Sequence, residues 1–389
     1  MSNIQATDKK YVLNTYARFP VEIVSGKGSI AVDSDGKEYI DMGTGIGVTA
    51  FGYCDSVWQT AVIEQLNKVQ HTSNLYYTEP CAELARLLCE KTGMKKVFFG
   101  NSGAEANECA IKAARKYAAM KHGNDCYTIV TLRNSFHGRT LTTLAATGQE
   151  HYHELFQPLT PGFCHVEVGN IFELAALAAR TKIAAVMIEC IQGEGGVLPL
   201  DPEFVAALDE FIRKHDILLI VDEVQTGNGR TGELYAYMNY GLKPDIVTTA
   251  KGLGGGLPIG AAMMSEKLDG VLGFGEHGST FGGNPVCCAG AISVIKRIDD
   301  KLLAAVKAKS DYIFSQLRGA EGVESVSGMG FMIGILPKKK TASEVVKRCM
   351  EEGVLCLTAK NKVRLLPALN IPMDVLTKAA EIIKKVIAE

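Results

Sequence analysis

Through the middle of the chain, short runs of consecutive apolar residues alternate with segments whose apolar positions recur every three or four residues. Val97–Phe99, Tyr127–Leu132, Ala184–Ile188, Ile217–Val221, Asp245–Ala250 and Ala261–Met264 are of strand length and mostly apolar on both faces, which predicts buried strands. Between them Ala106, Cys109, Ala110, Ala113 and Tyr117 share one helical face, and Phe204, Leu208, Phe211 and Ile212 share another. This alternation predicts an α/β fold, a mainly parallel sheet covered by helices on both sides. Sheets of that kind bind ligands beyond the carboxyl ends of their strands. Those ends are where chemistry is expected.

The flanks follow another rhythm. Residues 20–42 predict short strands of an antiparallel meander, with turns at Gly26–Gly28 and Asp35–Gly36. After Pro285 a long helical stretch precedes glycine-punctuated strands near Gly328–Leu336 and Val354–Leu366. The expected division is a large domain of residues 50–284 and a smaller α+β domain built from both ends, 1–49 and 285–389. A chain of 389 residues buries enough surface to need no disulfide or metal staple.

Charge and cysteine usage narrow the classes. Lysine and arginine number 41 against 43 aspartates and glutamates, so no basic field exists to gather nucleic acid or anionic lipid. The eleven cysteines lack any C-x-x-C pair, a pattern of reduced thiols in a cytoplasmic protein. MSNIQATDKK lacks the apolar core of a signal peptide, and no apolar run reaches the length of a membrane span. His151 and His153 lack the spacing of a zinc hydrolase, so no metal is expected. Gly45-Ile46-Gly47-Val48-Thr49-Ala50 matches G-x-G-x-x-A, but no strong strand precedes it and no clear helix follows.

Asp222 and Lys251 each follow a predicted strand, which places an acid and an amine at one edge of one sheet. Taken alone they read as an ion pair. The glycines of GLGGGLPIG leave open space beside Lys251, and a desolvated lysine suits Schiff-base formation with an aldehyde. The best-known aldehyde cofactor is pyridoxal phosphate, whose pyridinium nitrogen needs an acidic partner such as Asp222. Ser102-Gly103-Ala104 opens a predicted helix and offers free N–H groups to an anion, although alone it is an ordinary N-cap. Ser279 and Thr280 add hydroxyls in another glycine-rich turn. In RNSFHGRT, Phe136 can stack on an aromatic cofactor, His137 can shape its pocket and Arg139 can pair with a carboxylate. Taken singly, these three read as a core aromatic, a satisfied histidine and a surface arginine. Gln225 and Glu194 both follow strand ends and face the same edge.

NSGAEANE, SFHGRT, QGEGGV, VDEVQTGNGRTG, TTAKGLGGGLPIG and GSTFGGNP, in this order, resemble the successive signatures of the class III aminotransferases of pyridoxal-phosphate fold type I. The resemblance runs from about Tyr16 to the C-terminus, and HTSNLYYTEP and RLLPALNI are most similar to its acetylornithine branch. It implies that Lys251 carries the cofactor, Asp222 meets the pyridinium nitrogen, and Gln225 meets the ring's phenolic oxygen. Ser102, Gly103 and Ala104 would hold the phosphate, with Thr280 reaching across from a second subunit of a homodimer. Phe136 and Val224 would cover the two ring faces, with His137 shaping the pocket. Arg139 would bind the substrate's α-carboxylate, Glu194 and Arg364 would form a switch between donor and acceptor, and Tyr16 and Ser279 would complete the substrate site. The unusual Phe51, Tyr53 and Cys54 lie in a segment that approaches the substrate in the family.

The reaction so implied passes the δ-amine of N2-acetyl-L-ornithine to 2-oxoglutarate. Ornithine, succinylornithine, succinyldiaminopimelate and 4-aminobutyrate are the other donors to weigh. An aminomutase or a non-catalytic cofactor-binding module is the alternative from another class. Lys251 with Asp222 argues against the module, and Glu194 with Arg364 argues for two different substrates rather than a mutase.

Overall fold

The computed structural model describes residues 3–389. Its strands, in chain order, begin with β1 (Ile23–Lys27), β2 (Ile30–Asp33) and β3 (Glu38–Asp41). Then come β4 (Lys96–Gly100), β5 (Thr128–Leu132), β6 (Phe163–Val166) and β7 (Ile183–Ile188). A two-strand ribbon follows, β8 (Ile191–Gln192) and β9 (Leu198–Pro199), and after it β10 (Leu218–Asp222), β11 (Ile246–Thr249) and β12 (Gly260–Met264). The chain closes with β13 (Val323–Met329), β14 (Met332–Pro337), β15 (Val354–Leu355), β16 (Leu357–Ala359) and β17 (Lys362–Leu365).

Seven of these form the central sheet, in the order β4-β12-β11-β10-β7-β5-β6. Neighbours from β11 to β6 pair in parallel, whereas β12 is antiparallel to both β11 and β4. Only β12 therefore runs against the rest, and the carboxyl ends of β4, β5, β7, β10 and β11 share one edge. Alternate residues face opposite sides of a strand. Ala185, Met187, Leu218, Ile220 and Ile246 pack with Cys109, Ala110 and Ala113 of the helix Gly103–His122. Val186, Ile188, Leu219, Val221 and Val247 pack with Leu174 and with Phe204, Leu208 and Ile212 of the helix Pro202–Lys214. Burial on both faces is why these strands read as unbroken apolar runs.

β1, β2 and β3 form the expected antiparallel meander, and β15 joins β3 in parallel, so the two ends of the chain share a sheet. A third sheet, β13-β14-β17-β16, is wholly antiparallel. The helical stretch after Pro285 is two helices, Pro285–Arg297 and Asp300–Leu317. The break falls where Asp299 caps the second helix by accepting the Leu302 N–H at 2.8 Å. No described helix is long and apolar enough to cross a membrane.

Thr44, Gly45, Ile46 and Gly47 all have positive φ, between 47° and 75°. This left-handed turn is why the G-x-G-x-x-A match opens no ordinary helix. Of the stretch from 48 to 54, Val48 alone lines the main cavity described below. Tyr53 instead exchanges backbone hydrogen bonds with Gly28 at 2.8 and 2.7 Å. The Arg297 guanidinium lies 3.8 Å from the Phe51 ring centre. Phe51 thus packs against the helix Pro285–Arg297 and Tyr53 against the N-terminal strands, and Phe51, Tyr53 and Cys54 border a separate small cavity.

Candidate functional site

A cavity of about 460 Å³ opens at the shared carboxyl edge of the central sheet. Its walls include Ser102, Gly103 and Ala104 after β4, Phe136, His137 and Arg139 after β5, and Glu189 after β7. Asp222, Val224 and Gln225 come from the end of β10, and Lys251 follows β11. Five separate stretches of sequence thus meet at one place.

Ser102 is extended (φ −151°, ψ 165°), and its hydroxyl accepts the Glu105 N–H at 3.1 Å, which caps the helix Gly103–His122. A cap of this kind contributes ~0.5–2 kcal/mol. It leaves first-turn N–H groups without intrahelical partners, at the positive end of a 20-residue helix dipole. A Cβ on residue 103 would come within 2.6 Å of the Val224 side chain. Only glycine lets the helix end approach Val224 this closely.

Asp222 is buried and accepts from three donors. Its Oδ2 accepts Asn107 Nδ2 and His137 Nδ1, each at 2.8 Å, and its Oδ1 accepts the Val224 N–H at 3.0 Å. A carboxylate can only accept, so His137 carries its proton on Nδ1. Asn107 is fixed in turn by Thr248 Oγ1, which donates to its Oδ1 at 2.7 Å. Three donors hold Asp222 aimed, and one Oδ1 lone pair remains for a further N–H.

Lys251 has φ +46°, an uncommon conformation for a non-glycine residue that turns it out of the strand direction. Asn228 pins this turn by donating to Thr249 Oγ1 at 2.9 Å and to the Ala250 carbonyl at 3.1 Å. Enclosure lowers the Lys251 amine below the ordinary lysine value; Glu194 opposes that shift and Arg364 adds to it. Behind the site, burial pushes Glu189 up to about 7, with His137 opposing.

Glu194 sits in the turn between β8 and β9, and its Oε1 lies 2.6 Å from Arg364 Nη1 on β17. Burial raises the Glu194 pKa, but the Arg364 charge and hydrogen bond bring it below the ordinary carboxylate value. Gln225 bridges the two, donating to Glu194 at 3.2 Å and accepting from Arg364 at 3.0 Å. Arg139 is exposed at the mouth, its guanidinium 5.1 Å from the Phe136 ring centre, within cation–π range.

Five expected residues are not among the walls of this cavity: the Glu194–Arg364 pair, which meets it through Gln225, and Tyr16, Ser279 and Thr280. Tyr16 is 71% exposed. Thr280 is exposed, and the Ser279 hydroxyl accepts from Asn101 Nδ2 at 3.1 Å and from the Gly282 N–H at 2.9 Å. Asn107, Thr248 and Glu189 are polar residues of this neighbourhood that the sequence analysis passes over. Glu189 carried the same signal as Asp222, an acid directly after an apolar strand. Asn107 lies inside a helical pattern with no local mark.

The sequence profile of the class-III aminotransferases matches residues 11–387, and the chain belongs to that family. Two relatives make the match more particular. The acetylornithine aminotransferase of Haemophilus ducreyi is 47% identical over 99% of this chain and 98% of its own. The N-acetylornithine aminotransferase structure from Stenotrophomonas maltophilia superposes with a TM-score of 0.85 at 32% identity, covering 98% of each chain. An ornithine aminotransferase structure from Toxoplasma gondii, which holds pyridoxal phosphate at partial occupancy, gives 0.94 at 31% identity over 99% and 94% of the two chains. The α/β architecture is therefore that of fold type I.

The residues present fit pyridoxal phosphate. The capped helix end, opened by the close approach of Gly103 to Val224, can take a phosphate. The spare lone pair of Asp222 can take a ring N–H, and the lowered amine of Lys251 can take an aldehyde.

Proposed function

We propose that this chain is a pyridoxal-phosphate-dependent transaminase that passes the δ-amine of N2-acetyl-L-ornithine to 2-oxoglutarate, giving N-acetyl-L-glutamate 5-semialdehyde and L-glutamate. The observation that carries it is the Glu194–Arg364 ion pair bridged by Gln225 beside the lysine. A removable carboxylate over an arginine suits an enzyme that alternates between two substrates. One, the dicarboxylate acceptor, needs the arginine; the other, the ω-amine donor, needs it covered. The names of the relatives support acetylornithine as donor. The division into a large domain of 50–284 and a small one of 1–49 with 285–389 belongs to the same reading, as does a cytoplasmic location.

Pyridoxal phosphate, when bound, supplies an aldehyde for the incoming amine and a ring that draws electron density from the bond being broken. Lys251 Nζ would hold its aldehyde and would serve as the base that moves the proton of the reacting carbon. Asp222, held by His137 and Asn107, keeps a proton on the ring nitrogen. Ser102, Gly103 and Ala104 bind the phosphate. Phe136 and Val224 confine the ring, and Gln225 takes its phenolic oxygen. Arg139 pairs with the α-carboxylate, with Ser279 and Tyr16 completing the substrate site.

A panel of acetylornithine, ornithine, succinylornithine, succinyldiaminopimelate and 4-aminobutyrate, each with 2-oxoglutarate, tests the donor. Acetylornithine should give the highest kcat/KM, and a clear preference for any other donor sinks the choice.

The reading extends to a homodimer in which Thr280 reaches the phosphate of the partner. Leu75, Tyr76, Tyr77, Phe274 and Phe281 are each at least 60% exposed in one chain. Asn74 ties two of these segments together by donating to the Ser279 and Gly282 carbonyls, both at 2.8 Å. An apolar patch of this kind marks an interaction surface. Light scattering at assay concentration should give the dimer mass; a fully active monomer would overturn the shared site.

A further inference from the structure

Glu189 follows β7 and is 5% exposed at the back of the cavity. Its two carboxylate oxygens do separate work. Oε2 accepts the Phe136 N–H at 2.9 Å, and Oε1 accepts the Gly193 N–H at 3.2 Å. Phe136 belongs to the loop that carries Arg139, and Gly193 directly precedes Glu194. The Gly193 backbone also lies against Gln225, since a Cβ there would come within 2.4 Å of Gln225 Oε1. One rigid carboxylate therefore holds both substrate-facing stretches by their backbones. Among the described residues neither N–H has another acceptor, and a buried N–H without a partner is costly.

We propose that Glu189 is a positioning residue that fixes the Phe136–Arg139 loop relative to the Gly193–Glu194 turn, and so sets how firmly Glu194 covers Arg364. The inference rests on the transaminase reading for its effect on substrate choice, and on geometry alone for its effect on the backbone. Glutamine at this position keeps the length but has one oxygen in place of two, so one N–H must lose its acceptor and meet an amide NH2. Aspartate keeps the charge but is too short to span both donors.

Hydrogen–deuterium exchange of the cofactor-free protein tests the backbone claim. In both Glu189→Gln and Glu189→Asp, exchange should rise about 10-fold in at least one of the peptides covering 133–140 and 190–197, while β10 stays protected. A rise in neither segment, or throughout the chain, in both variants overturns the proposal. With cofactor restored, single-turnover rates give a second readout. Looser cover over Arg364 should shift donor preference toward glutamate by about 10-fold, as a weakened buried contact does. An equal loss with glutamate and with acetylornithine would make Glu189 a general support and overturn the switch effect. If native protein does not accept acetylornithine at all, the functional reading fails while the exchange result stands on its own.

Discussion

Lys251→Ala is expected to lose transamination by about 10⁴-fold or more, because it removes a nucleophile and a proton carrier at once. Positioned acid–base catalysis alone contributes ~10²–10⁴. The structure isolates the effect. The turn at Lys251 is fixed by the Asn228 side chain, which donates to Thr249 Oγ1 and to the Ala250 carbonyl, and among the described residues Lys251 Nζ makes no hydrogen bond, so truncation should leave the fold intact. The variant should still bind pyridoxal phosphate through Asp222 and the helix end at Ser102, without covalent attachment. Steady-state rates with acetylornithine and 2-oxoglutarate check this. Retention of more than about one-hundredth of the native rate would sink the assignment, being less than acid–base catalysis alone supplies.

Arg364→Ala and Glu194→Ala should damage opposite halves of the reaction. The Arg364 side chain is 4% exposed and that of Glu194 27%, so the pair is largely but not wholly withdrawn from water. Removing one member of a buried charge pair costs ~2–5 kcal/mol, and partial exposure argues for the lower end. Arg364→Ala should therefore slow the 2-oxoglutarate half-reaction by about 30-fold or more, with less effect on the donor half. Glu194→Ala uncovers the arginine, which should weaken the ω-amine donor and make glutamate the better donor of the two. Single-turnover spectra of the two cofactor forms follow each half separately. Equal damage to both halves in both variants would reduce the pair to scaffolding.

The strands that carry the site were legible because each is apolar on successive positions and stops at a polar residue. Six of the seven strands of the central sheet announce themselves that way. Phe163–Val166 does not: FCHV is an edge strand, half-buried, with a histidine in its middle. The reversed direction of β12 was illegible too, since GAAMM fills either orientation equally well. At the site, residues at strand ends stood out, whereas Asn107 did not. Its role comes from a helix that crosses behind Asp222, a relation that no local spacing encodes.

The reversed strand also bears on when the site comes into being. Gly100 pairs with Gly260, and a Cβ on residue 260 would lie 2.1 Å from the Ser102 carbonyl, so β12 is the floor on which the phosphate end of the site rests. Pairings between segments so distant in sequence form late, after the cost of closing the long loop between them is met. On the ribosome, a chain that has emerged past Lys251 already owns the amine, the acid and the capped helix. It still lacks the strand that seats Ser102, and β4 waits meanwhile with an open edge. Cofactor uptake is therefore expected only after β12 has been made and paired, and a chain interrupted before it leaves the β4 edge unpaired.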